Sequence, residues 1–236
     1  MPAAILNEQY ADSLEHLCRL WESRPEHKHA PCLTVALART AGTPAREVAE
    51  ALARRLGWQV YDRELLDKIA EEMGLRAKLL ESVDEKRIGW MLEAMQGLFA
   101  VPQVDEIAYV RHLVKVVLAL GMHGNCVIVG RGAAHFLPPS TTVRVHLTAP
   151  VKDRIARFAK EEGVAEDKAR TQVADIERAR ASFVERHFFK DANDSANYDL
   201  TLNTSCWSPD ACAQIILEAL QQKATQANPR PLETAR

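Results

Sequence analysis

Apolar and polar positions along this chain switch repeatedly between two periods. Short, mostly apolar runs occur at CLTVALA (residues 32–38), NCVIVG (125–130) and TVRVHL (142–147). Such runs read as strands buried on both faces of a parallel sheet. WQVYD (58–62) and YDLTLN (198–203) read as two shorter strands. The intervening segments follow the helical period. Residues 5–22 place Ile5, Leu6, Tyr10, Leu14, Leu17, Leu20 and Trp21 at amphipathic spacing. Thr43-Pro44 opens a helix, with Thr as N-cap and Pro at the first helical position, and that helix stops at Gly57. Residues 62–123 are helical throughout, with no convincing strand. Pro150 starts a helix ending near Gly163, and a long Arg- and Glu-rich helix runs from about 165 to 187. Ser208-Pro209-Asp210 caps a last helix to about Lys223. Five strands alternating with helices predict an α/β domain with a parallel sheet and helices on both faces.

This pattern divides the chain into an N-terminal helix and linker (1–30), a core domain (31–224) and a disordered polar tail (225–236). Composition narrows the class. Hydrophobic residues at 47% and charged residues at 26% describe an ordinary globular protein, and a formal net charge of -2 provides no basic field for nucleic acid. No apolar run reaches the length of a membrane span. The five cysteines form neither CxxC nor a zinc spacing, and Cys32 and Cys126 fall in apolar runs as core thiols. A reducing compartment, the cytoplasm, follows as the expectation.

Candidate chemistry gathers at strand ends. NCVIVG runs directly into Arg131-Gly132. Ligands of open α/β sheets sit outside the carboxyl ends of the strands, and the guanidinium fork suits phosphate. Arg131 is therefore an anion-binding residue or a surface arginine in a glycine turn. The turn after the first strand, ARTAGTPARE (38–47), has the layout strand, loop, helix N-terminus, which favours an anion. It holds one glycine, Gly42, and no lysine, so a plain βα turn is the other reading. Asp62 can bind ribose, bond a base or cap a helix. Arg154 and Arg157 share a helix face, and the next helix carries Asp175, Arg178, Arg180 and Arg186. These arginines form either a solvated face or a lid that closes over phosphates.

Taken together, the segments 32–66, NCVIVGRGA, APVKDRIARF, DIERARASFVERHF and NYDLTLNTS resemble the cytidylate kinase-like family over most of residues 32–220. The resemblance implies a P-loop NTPase-type three-layer α/β fold with a five-stranded parallel sheet. It adds a helical NMP-binding insertion at 62–123 and an Arg-rich lid at 150–190. It implies ATP- and Mg²⁺-dependent phosphoryl transfer to a pyrimidine nucleoside monophosphate, CMP or dCMP. By the same match Arg39, Gly42, Thr43, Ala45, Arg46 and Glu47 belong to the phosphate loop. Asp62, Arg131 and Asp175 fall on the acceptor side. Arg46, Arg154, Arg157 and Arg178 take the catalytic charges, and Arg111 is the candidate within the insertion. The family's loop reads Gly-Ser-Gly-Gly-Arg-Glu, whereas here it is Gly42-Thr43-Pro44-Ala45-Arg46-Glu47. Two glycines are replaced. A non-catalytic nucleotide-binding or regulatory protein is therefore the alternative, and an oligomer built on the N-terminal helix is a third reading.

Overall fold

A computed structural model describes residues 32–62 and 105–227. The N-terminal helix at 5–22, most of the insertion at 62–123 and the end of the tail lie outside the described residues, as does the side chain of Arg111. Five strands form one all-parallel sheet in the order β2-β3-β1-β4-β5: β1 (Thr34–Arg39), β2 (Gln59–Tyr61), β3 (Cys126–Val129), β4 (Thr142–Thr148) and β5 (Leu200–Asn203). Each falls on a run read as a strand from its apolar pattern, with ends shifted by up to two residues. The central strand β1 pairs Thr34 with Cys126 of β3 on one side and with Thr142 of β4 on the other.

Alternation along β1 builds two cores. Val35 and Leu37 face helices α1 (Ala45–Leu56) and α6 (Pro209–Ala227), packing with Val48, Leu52, Cys212 and Ile216. Ala36 faces the opposite layer, where Val114 and Val117 of α2 (Asp105–His123) pack with Ile128 and with Phe136 of the short helix α3 (Ala133–Phe136). The small alanine lets α2 lie close, and the result is three layers around a doubly covered sheet. A third cluster caps one end. Ile155 of α4 (Val151–Glu162) and Ala169 and Val173 of α5 (Glu166–Phe188) close on Ala41, just past β1.

Three local features differ from the sequence expectation. The Thr43 hydroxyl does not cap α1; it donates to the Thr40 carbonyl at 2.8 Å, and α1 begins at Ala45 with Pro44 in the capping place. The Ala45 amide, which a Thr43 cap would accept from, instead donates to the Thr43 carbonyl. The turn after β3 contains the one-turn helix α3, and α6 continues to Ala227, past Lys223. Lys223 explains the extension: its ammonium donates to the carbonyls of Pro139 and Thr142 and to Asp199, which ties that turn to β4. Among the described residues no helix is long and apolar enough to cross a membrane.

Candidate active site

The turn after β3 is built to present a side chain. Gly130, Arg131 and Gly132 take successive positive φ values of 81°, 53° and 71°. The left-handed conformation is costly for a residue with a Cβ, and Arg131 holds it between two glycines. Gly132 has no substitute here, because a Cβ on it would lie 2.1 Å from the Phe188 ring at the end of α5. This geometry sends Arg131 into a cavity of about 290 Å³ at the carboxyl ends of β1 and β3. Arg39, His135, Arg180, Phe183 and Tyr198 share the lining. The Arg131 guanidinium lies 5.9 Å over the Phe183 ring, and Arg180 donates to the Arg39 carbonyl at 3.1 Å. Three guanidinium groups on one small cavity favour a multiply charged anion.

The opposite wall is aromatic and neutral. Tyr198 donates its hydroxyl to the Ala192 carbonyl at 2.7 Å, and His135 Nε2 lies 3.3 Å from the same oxygen. With the Tyr198 proton engaged, this network assigns the histidine proton to Nε2, and buried Nδ1 is then an acceptor with no hydrogen-bond partner among the described residues. Burial, reinforced by the nearby positive charge of Lys190, pushes His135 down to about 4. Burial and the carboxylates of Asp191 and Asp194 push Tyr198 up to about 12. The ring of His146 stacks on Tyr198 at 4.8 Å, and burial lowers its pKa as well.

The turn after β1 closes two of its own donors on carbonyls within it. Besides the Thr43 bond, the Ala45 amide donates to the Thr43 carbonyl at 2.8 Å. The first amides of a helix have no helical acceptors; of those in α1, Ala45 is taken, and Arg46 and Glu47 follow it. Gly42, at φ 80°, touches α4: a Cβ there would lie 2.3 Å from the Arg154 carbonyl oxygen. Arg154 is 5% exposed. It donates to the carbonyls of Ala149 (2.8 Å) and Ala41 (3.1 Å) and pairs with Glu177. Its guanidinium is thus a strut that holds the loop against α4 and α5. Arg157 pairs with Glu47 in the first turn of α1 and with Glu161 on its own helix. A second cavity, about 420 Å³, opens beside Gly42 and Pro44 and is lined by Asp153, Arg154, Arg157 and Ser205.

The expected site residues therefore fall into three groups. Arg39 and Arg131 meet at the first cavity, while Gly42, Arg154 and Arg157 meet at the second, with Thr43 in the loop between and Ala45 and Glu47 in the first turn of α1. Arg46 is exposed and pairs with Glu50 at 2.9 Å, and the charge of Asp62, at the exposed end of β2, also reaches it. Asp175 and Arg178 line neither cavity. They pair with each other at 3.2 Å on an exposed face of α5. The inward face carries Ile176, Ala179, Arg180, Phe183 and Val184. Arg180 lines the first cavity, and its phase is legible in the sequence: it follows Ile176 by four residues and precedes Phe183 by three, along one apolar stripe. His135 and Tyr198 gave no signal, since nothing in sequence places them opposite each other.

The sequence profile of the cytidylate kinase-like family matches residues 34–206. The chain belongs to that family. The match runs from the start of β1 to just beyond β5, so both cavities lie within it. A cytidylate kinase of Pyrococcus horikoshii is 31% identical over 160 residues, covering 66% of this chain and 80% of the relative. One from Thermococcus kodakarensis is 24% identical over 190 residues, covering 80% and 88%. Among solved structures, an uncharacterized protein from Eubacterium ventriosum superposes with a TM-score of 0.61 at 18% identity, covering 80% of this chain and 98% of that one. That likeness shows the fold alone. The doubly covered parallel sheet is the P-loop NTPase-type architecture expected of the family.

Proposed function

We propose that this protein transfers a phosphoryl group from ATP to a pyrimidine nucleoside monophosphate, with CMP as the preferred acceptor. Membership in the family supports a nucleotide kinase, and the archaeal relatives are named cytidylate kinases. The observation that carries the reading is the convergence of Arg39, Arg131 and Arg180 on one cavity beside the loop after β1. Phosphoryl transfer asks for positioning and charge neutralisation more than for covalent chemistry, and that cavity offers both. In this reading Arg131 and Arg180 hold the acceptor phosphate. The N-terminal amides of α1 hold the donor phosphates, and the cavity beside Pro44 takes the rest of the donor. Arg157, at the border between loop and α4, neutralises the transferring group. Helices α4 and α5 act as the lid, with Arg154 as the strut that fixes their distance from the loop.

A magnesium ion, when bound, neutralises charge on the donor phosphates. It takes few protein ligands in such sites. The Glu47 carboxylate at the loop, paired in this structure with a guanidinium, fits a cation. The spent donors around Thr43 and Ala45 speak for a non-catalytic nucleotide binder, but the named relatives do not favour it. A coupled ADP-release assay with ATP, Mg²⁺ and CMP, dCMP, UMP or AMP decides. Acceptor-dependent release, fastest with CMP, is expected. No release above the ATP-only background with any acceptor overturns the kinase reading.

A further inference from the structure

We infer that Glu47 is a cation-exchange point that makes donor binding depend on a divalent metal: Arg157 occupies it in the resting protein, and Mg²⁺ takes it when the donor arrives. The inference rests on the loop after β1 being the donor site. In the common phosphate loop the residue after the loop cation is Ser or Thr, whose hydroxyl meets Mg²⁺. Here the residue after Arg46 is a glutamate. A hydroxyl is neutral and leaves no charge behind when the metal is absent. A carboxylate beside a polyphosphate site repels the ligand unless a cation covers it.

The structure shows what covers it. Arg157 reaches from α4 to pair with Glu47, and it also meets Glu161 at 2.6 Å. Both partners are partly exposed, the side chains of Arg157 and Glu47 being 34% and 45% accessible, so the pair is weakly held and can exchange. Arg157 also has an unspent donor: its Nε is buried and meets no acceptor among the described residues. Its guanidinium lines the cavity beside Gly42 and Pro44, where the donor is placed. The exchange conserves charge pairing. Before it, Glu47 faces Arg157; after it, Glu47 faces the metal, and Arg157 faces the phosphates with its Nε satisfied. Metal and nucleotide thus each favour the other, and by linkage the coupling is reciprocal. ATP without metal must either leave Glu47 uncovered or forgo Arg157.

The test is ATP binding without acceptor, by calorimetry, with Mg²⁺ and with EDTA, in wild type, Glu47→Gln and Glu47→Asp. Melting temperature checks the fold of each. Wild type should bind about tenfold or more tightly with Mg²⁺. Glu47→Gln should bind metal-free ATP at least as well as wild type and lose most of the Mg²⁺ ratio. Glu47→Asp, which keeps the carboxylate, should retain it and cover the case in which the glutamine variant does not fold. Mn²⁺ in place of Mg²⁺ supplies a second readout: paramagnetic broadening of the bound ATP complex should weaken in Glu47→Gln alone. ATP binding with an unchanged Mg²⁺ ratio in Glu47→Gln, or a ratio lost in Glu47→Asp, overturns the exchange while leaving the donor site in place. Absence of ATP binding to wild type under both conditions overturns the donor-site reading, and the exchange with it.

Discussion

The turns after β1 and β3 leave neighbouring parallel strands at the same edge of the sheet, and they use their backbones in opposite ways. After β3, two glycines flank an arginine, and the strained backbone serves to aim a side chain into a cavity. After β1, a hydroxyl and an amide close on carbonyls within the turn, and a buried arginine from α4 braces it from outside. One turn is a presenter, the other a braced cradle. A site that must recognise one anion and admit a second, larger one can divide the work this way. In the proposed reading, the presenting turn would fix the acceptor and the braced turn would receive the donor.

Removing the brace should have the largest effect. Arg154→Ala strips two carbonyls and Glu177 of their donor, and leaving buried groups uncompensated costs about 3 kcal/mol. Urea unfolding should report that loss, whereas Arg178→Ala, on the exposed face, should fall within about 0.5 kcal/mol of wild type. Equal effects from the two would erase the distinction between a strut and a solvated face.

Arg131→Ala probes the presenter. Loss of a charged hydrogen-bond partner should weaken CMP binding by about 1.5–3 kcal/mol with little change in stability, and Arg180→Ala should act in the same direction. Calorimetric titration of CMP checks both. Unchanged affinity in a folded Arg131→Ala protein would return that arginine to the surface.

Pro44→Gly combined with Ala45→Gly should make the cradle more like the presenter. The change restores an amide donor and removes a Cβ from the path of the phosphates, and ATP should bind more tightly by about 1 kcal/mol. Added backbone freedom should lower the melting temperature by a comparable free energy, about 1 kcal/mol or less per residue. A double variant that binds ATP no better would show that this turn is not a phosphate site.

The mildest probe is pH. The fold holds His135 neutral, with its pKa lowered from 6.5 to about 4, and His146 shifts in the same direction. A depressed histidine contributes its full stabilisation above the unfolded value of 6.5 and loses it as pH falls from there toward 4, because the unfolded chain binds more protons in that window. Melting temperature should drop across that range, and His135→Asn should remove part of the drop, the remainder being due to His146. NMR titration of a His135 pKa near 6.5 would contradict the buried, neutral wall.

Much of this division could be read in the sequence, and the boundary has physical reasons. The strands were legible because burial on both faces writes a local apolar run, and Arg131 because its place follows from the run before it. Thr43-Pro44 marked a helix start, but the partner of the Thr43 hydroxyl, the Thr40 carbonyl, depends on how the turn folds back on itself. Arg154 and Arg157 look alike in APVKDRIARF. What buries the first is Ala41, 113 residues away, and Glu177 on the next helix. Arg178 and Arg180 differ only in helical phase, and the neighbours that fix the phase are local, so that distinction was available to a stricter reading. The wall residues His135 and Tyr198, with His146 stacked on Tyr198, come from separate stretches of the chain and left no local trace.

The contact of Phe188 with Gly132 sets a fulcrum. With no side chain on Gly132, the end of α5 rests directly on the arginine turn, and Phe136 stacks on the same ring at 4.9 Å. At 1.5 Å rise per residue, Arg180 lies about 12 Å from that point and Glu166 about 33 Å. A swing of about 10° around the fulcrum therefore carries Arg180 only about 2 Å but the far end of the helix about 6 Å. On the proposed reading of α4 and α5 as a lid, such a swing would keep Arg180 in step with Arg131 while the far end of the helix moved most.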